Sequence, residues 1–130
     1  MDQDVTELLA ALGQPTCALE VGIGERPGLA RRLAAAGLEV WALDIQPVSV
    51  PEDVTFVQMD LTAPTIDRFP EVELVYARRL PPELHHSAKR LTVDLDATLA
   101  FTTLGGEWPA IHVTPLTIGR NTWYRFQPSE

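Results

Sequence analysis

The stretch Cys17-Ala18-Leu19-Glu20-Val21-Gly22-Ile23-Gly24-Glu25-Arg26-Pro27-Gly28-Leu29 decides how this chain folds. Cys17 to Val21 is a short run, apolar except for Glu20, that ends in a Gly-rich segment. Leu29 to Ala36 then reads as a helix, with Gly37 as its C-terminal cap. The order is strand, tight turn, helix. Gly22 and Gly24 let backbone come close to a ligand, and the fixed φ of Pro27 suits a first helical turn.

The same pattern continues outward. Leu38 to Leu43 is the next apolar run and ends in Asp44, and Val54 to Met59 is another and ends in Asp60. Val72 to Ala77 reads as a fourth strand. Pro82 starts a helix whose Leu84, Ala88, Leu91 and Leu95 share a face, and Thr98 to Leu104 reads as a fifth strand. Upstream, Asp4 followed by Glu7 has the spacing of a capping box. Val5, Leu8, Leu9 and Leu12 fall on one helical face before Gly13 and Pro15 stop the helix. At the other end, Ile111 to Leu116 and Thr122 to Phe126, joined by a turn at Gly119 to Asn121, suit an antiparallel hairpin at a sheet edge. Alternating strands and helices call for a parallel sheet covered on both faces. The expectation is an α/β fold, a Rossmann-like three-layer sandwich with five mostly parallel strands plus the C-terminal hairpin, as a single domain over residues 1–130.

Composition narrows the function. A chain of 130 residues supports one core without staples. Its single cysteine, Cys17, excludes an internal disulfide and a cysteine-based metal site. No metal site is expected. Met1 is followed by Asp2 and Asp4 rather than a basic segment and a long apolar run, so no signal peptide or membrane span is expected, and the location to expect is cytoplasmic. A net charge of -8 does not point to nucleic acid, whose binding depends on clustered positive charge. Lys89 is the only lysine. An acidic, lysine-poor surface fits salt adaptation, and a GC-rich genome accounts for it equally well.

In doubly wound sheets ligands bind beyond the carboxyl ends of the strands, which here are Glu20 to Gly24, Asp44, Asp60 and Tyr76 to Pro82. The Gly-rich turn followed by an acid at the end of the next strand suits a nucleotide-type cofactor, Asp44 being placed for ribose hydroxyls. A purely structural turn is the plainer alternative. A dinucleotide would set its diphosphate at the helix start, and the carboxylates of Glu20 and Glu25 flanking that spot would oppose it. The same carboxylates would attract the ammonium and sulfonium of S-adenosylmethionine.

The run Glu20-Val21-Gly22-Ile23-Gly24 resembles the first motif of Rossmann-type S-adenosylmethionine methyltransferases, in which an acid precedes a Gly-x-Gly turn. The resemblance implies a role for Glu20 near the methionine part of the cofactor, for Asp44 at the ribose and for Asp60 at the adenine amino group. Asp60 also reads as the cap of a following helix. Nearly the full length resembles a small, functionally uncharacterised archaeal protein family. That resemblance rests on the same run, on Asp44-Ile45-Gln46-Pro47, on Leu74 to Leu84 and on Gly105-Gly106-Glu107. It implies the fold and a binding function, and names no reaction or methyl acceptor.

A catalytic apparatus is less visible. Amino-directed methyltransferases carry an Asp or Asn before a Pro-Pro-aromatic turn, where this chain has Leu80-Pro81-Pro82-Glu83, and the departure removes the group that would hold a target amine. Methyl transfer also proceeds by positioning alone. Arg78 and Arg79 suit a carboxylate or phosphate on a substrate, or else a solvated turn. Tyr76 and Trp108 suit a cation-π contact with a sulfonium, or plain packing. His85 and His86 are adjacent on a helix, point apart and make no metal pair. The chain has no insertion long enough for a lid, so a homodimer completing the site through the hairpin and Trp123 is a further expectation. The alternatives to a methyltransferase are a non-catalytic binding or regulatory module and a NAD-dependent oxidoreductase.

Overall fold

A computed structural model describes residues 2–128. The strands β1 (Cys17–Val21), β2 (Glu39–Asp44), β3 (Val54–Gln58), β4 (Leu74–Leu80) and β5 (Thr98–Thr103) pair in parallel, and β6 (Thr114–Ile118) and β7 (Asn121–Phe126) form the hairpin. The helices are α1 (Gln3–Ala11), α2 (Gly28–Ala35) and α3 (His85–Leu95). Together the strands make one seven-stranded sheet in the order β3-β2-β1-β4-β5-β7-β6. The order reverses between β1 and β4, the point at which such sheets open a crevice.

Two hydrophobic clusters cover the two faces, which is why β1 and most of β4 are buried throughout. Leu19, Val21, Val75, Leu99 and Phe101 pack with Ala88 and Leu91 of α3. Ala18, Leu74, Tyr76 and Ala100 pack with Val5 and Leu8 of α1 and with Leu29 and Leu33 of α2. Side chains alternate along a strand, so Glu20, between Leu19 and Val21, points to the α1–α2 face.

Four details differ from the sequence expectation. Asp2, rather than Asp4, caps α1. Its Oδ1 accepts from the Val5 amide at 3.2 Å while Arg32 of α2 clamps the same carboxylate, holding its pKa down at about 2. β4 runs on to Leu80 instead of ending at Ala77, because β5 continues beside it through Thr103. In the hairpin, β7 takes the inner place against β5 and leaves β6 at the edge. Pro115, which donates no ladder hydrogen bond, is tolerated at such an edge. β6 begins at Thr114 because Ile111 turns into the cluster under α3.

Trp123 is buried against the chain's own α1–α2 cluster. Among the described residues no helix is long and apolar enough to cross a membrane.

Candidate functional site

A cleft of about 950 Å³ opens at the carboxyl ends of β1, β4 and β5. Glu20, Gly22 and Gly24 line it from β1 and the turn, Arg78 and Arg79 from β4, and Thr102 and Thr103 from β5. Sequence reading missed the remaining wall. Asp4 and Leu8 of α1 and Asn121 to Tyr124 of the hairpin complete it, because β7 lies inside β6 and α1 packs over the hairpin. Nothing in a hairpin's sequence says which strand will face inward.

The turn is built for this mouth. Gly22 and Gly24 have φ of +70° and +55°, the left-handed region that side chains resist. Asp44 holds the turn closed from the side: its Oδ2 accepts from the Gly24 amide at 2.8 Å and its Oδ1 from the Gln46 amide at 2.9 Å. Asp44 therefore stands behind the turn rather than on the cleft lining. Each carboxylate oxygen has a second lone pair, so both remain able to accept from a ribose hydroxyl. Asp60 lies away from the cleft lining and caps no helix. Its Oδ1 accepts from the amide and hydroxyl of Thr62, and these bonds lower its pKa.

Glu20 is the unusual group. It is 3 % exposed, and its Oε1 has no hydrogen-bond partner. Tyr76 sits beside it on β4 in register, fully buried, and its hydroxyl acts on the Glu20 carboxyl while falling short of hydrogen-bond geometry. Burial pushes the Glu20 pKa up to about 7, against the opposing pull of the Tyr76 hydroxyl and the Arg78 charge. Burial and the neighbouring Glu20 carboxyl raise that of Tyr76 well above the usual phenol value. A buried polar atom without a partner is rare enough to require a reason. The burial of Tyr76 removes it from contact with a ligand in the cleft, contrary to the expected cation-π role.

Arg78 and Arg79 are exposed at the cleft, and Arg26 joins them from the turn. Trp108 is 72 % exposed and touches the edge of Tyr124. His85 is structural: buried, it bonds Leu80 O through Nε2 at 3.0 Å and accepts from the Ala110 amide through Nδ1 at 3.0 Å. That pairing assigns the proton to Nε2 and ties the loop after β5 to the start of α3. Among the described residues no group of three or more His, Cys, Asp or Glu could hold a metal ion.

The model of an uncharacterised protein family, UPF0146, matches residues 3–124. A UPF0146 protein of Halobacterium salinarum is 42% identical over 98 residues, 75% of this chain and 76% of the relative. One from Archaeoglobus fulgidus is 32% identical over 90 residues, 69% of each. Among solved structures, a Burkholderia thailandensis 1,6-didemethyltoxoflavin-N1-methyltransferase with bound S-adenosylhomocysteine aligns with a TM-score of 0.56 at 19% identity. The match covers 94% of this chain and 58% of that one. A putative zinc-dependent alcohol dehydrogenase from Rhodobacter sphaeroides aligns at 0.56 and 15%, covering 82% of this chain. The match takes in about half, 47%, of the dehydrogenase's length. The neighbours establish a Rossmann-like, methyltransferase-like fold, and such a fold serves both chemistries.

Proposed function

The chain belongs to the uncharacterised protein family UPF0146, and on that premise we propose that its cleft binds S-adenosylmethionine and serves methyl transfer to a second ligand. The observation that carries the proposal is the buried Glu20 with an unpartnered Oε1 on the cleft wall, below a turn whose glycines admit a ligand. Ionised, Glu20 on the cleft wall attracts an ammonium, the group at the methionine end of this cofactor. Asp44, behind the turn, keeps lone pairs for the ribose hydroxyls, and Asp60, outside the cleft lining with Oδ2 free of hydrogen bonds, is the proposed partner of the adenine amino group should the cofactor extend past the turn.

When bound, the cofactor supplies an electrophilic methyl group. The chain's contribution is to hold the nucleophile in line with it, which is worth several kcal/mol without a dedicated acid or base. Leu80, at the position where amino-directed methyltransferases hold their target amine, is buried in the core under α3. That observation favours a second reading, a module that binds the cofactor and transfers nothing. A NAD-dependent oxidoreductase fits less well, because a diphosphate at the start of α2 would meet Glu25 beside it and Glu20 below.

The test is calorimetric titration with S-adenosylmethionine, S-adenosylhomocysteine and NAD at pH 8. The proposal expects micromolar binding of the two sulfur compounds and none of NAD. Binding of NAD alone overturns it. Cofactor binding with no methylated product in any extract tried would select the module.

A further inference from the structure

Ala77 pairs with Phe101 and Leu80 with Thr103, so two residues of β4, Arg78 and Arg79, stand opposite the single residue Thr102. This is a bulge. Consecutive side chains of a regular strand point to opposite faces, and one of two adjacent arginines would be driven into the core under α3. The extra residue prevents that: Ala77 and Leu80 both keep to that core, while Arg78 and Arg79 both line the cleft. Arg79 takes φ of +55° to do so, and its amide donates to Thr102 Oγ1 at 2.8 Å. A left-handed arginine is a cost the strand bears to aim its guanidinium.

The charges around it are as pointed. The chain carries 18 acidic and 10 basic residues, and four arginines, Arg26, Arg32, Arg78 and Arg79, line this one cleft. Arg32 is engaged by Asp2 and Asp4. Arg26, Arg78 and Arg79 form no ion pair among the described residues, although Asp4, Glu20 and Glu25 line the same cleft. In an acidic protein, arginines kept out of ion pairs remain available for an anion from outside, and their planar forks match carboxylate and phosphate oxygens.

We propose that the second ligand of the cleft is a small molecule bearing an oxyanion, phosphate or carboxylate, seated by Arg78 and Arg79 with Arg26 as a third donor. Its role as methyl acceptor rests on the function proposed above; the anion seat itself does not. The ligand is small because a net charge of -8 repels a long polyanion once it leaves the cleft.

The experiment uses the full chain at pH 8 with inorganic diphosphate and succinate as probes, followed by thermal shift and calorimetry, each with and without saturating S-adenosylhomocysteine. The variants are Arg79→Gln and Arg79→Gly. The wild type should bind one probe more tightly than the other, which distinguishes phosphate from carboxylate. Both variants should bind it at least about tenfold more weakly, since a charged hydrogen-bond partner is lost. Arg79→Gly should fold with an unchanged or raised Tm, because glycine adopts the left-handed backbone freely, so its loss of binding cannot be put down to misfolding. Affinity for S-adenosylhomocysteine should stay within about twofold of wild type in both variants, since the residues proposed to hold it are Glu20, Asp44 and Asp60. Equal probe binding by wild type and variants, or no probe binding at all, overturns the proposal. So does displacement of S-adenosylhomocysteine by the probe, which would make the arginines part of the cofactor site. Arginine-dependent anion binding without any S-adenosylhomocysteine binding leaves the seat standing and removes only the methyl-donor reading.

Discussion

Near the cleft, though not on its lining, three acidic side chains are taken up by backbone amides. Asp44 closes the Gly-rich turn, Asp60 caps the turn after β3, and Glu107 accepts from the amides of Leu104 and Gly105 in the loop after β5. At the wall of the same cleft Glu20 is buried with one oxygen unpartnered, beside a phenol in the same condition. The difference separates two uses of one functional group. A carboxylate whose oxygens meet amides has its desolvation offset and stiffens a loop. One left open is a standing cost that a proton, a donor or a cation relieves.

The comparison breaks most readily at Glu20. The folded protein holds the Glu20 proton more tightly than the unfolded chain does, with a pKa of about 7 against 4.5. Stability therefore falls as pH rises from about 4.5 to about 7, and the deficit persists above that. Glu20→Gln, which keeps the shape and cannot ionise, should be more stable than wild type at pH 8 by roughly 2–3 kcal/mol and about equal to it at pH 4.5. Urea unfolding at both pH values measures this. No gain at pH 8 would mean that the open carboxylate is not a cost.

A smaller effect is expected at Asp44. Asp44→Ala leaves the amides of Gly24 and Gln46 without their acceptor and should lower stability by about 1–3 kcal/mol. It should also weaken binding of S-adenosylhomocysteine by loosening the turn. An unaffected Tm would show that the turn holds itself.

Reading the sequence alone located these two acids but could not tell them apart. The succession of strands along the chain up to β5 followed from apolar runs, two of them ending in Asp44 and Asp60, and the turn from Gly22 and Gly24. That Asp44 is bonded across to Gly24, and that Glu20 points into a face shared with Tyr76, are tertiary facts, set by β1 lying between β2 and β4. The bulge had a faint mark in the text. Ala77 and Leu80, two core residues, lie three apart where a strand requires two, with Arg78 and Arg79 between them. The inner place of β7, which brings Trp123 and Tyr124 to the cleft, had none, because a hairpin can pair through either strand.

A smaller effect still is expected at Asp60, an exposed turn acid. Asp60→Ala should lower Tm by less than Asp44→Ala does, and a drop in affinity for S-adenosylhomocysteine beyond that seen with Asp60→Asn would assign it to the adenine. Trp108→Ala, which removes an exposed ring with an edge contact to Tyr124, should leave Tm nearly unchanged.

The central claim is that Glu20 is the cation seat, and proton linkage tests it most directly. Titrating S-adenosylhomocysteine into the protein at pH 6 in two buffers of different ionisation heat reports the protons exchanged on binding. If an ammonium meets Glu20, the protonated carboxyl must ionise, most of one proton is released at pH 6, and affinity rises toward pH 8. Glu20→Gln then shows no release and weaker binding. Equal heats in the two buffers, with affinity independent of pH, would contradict the account.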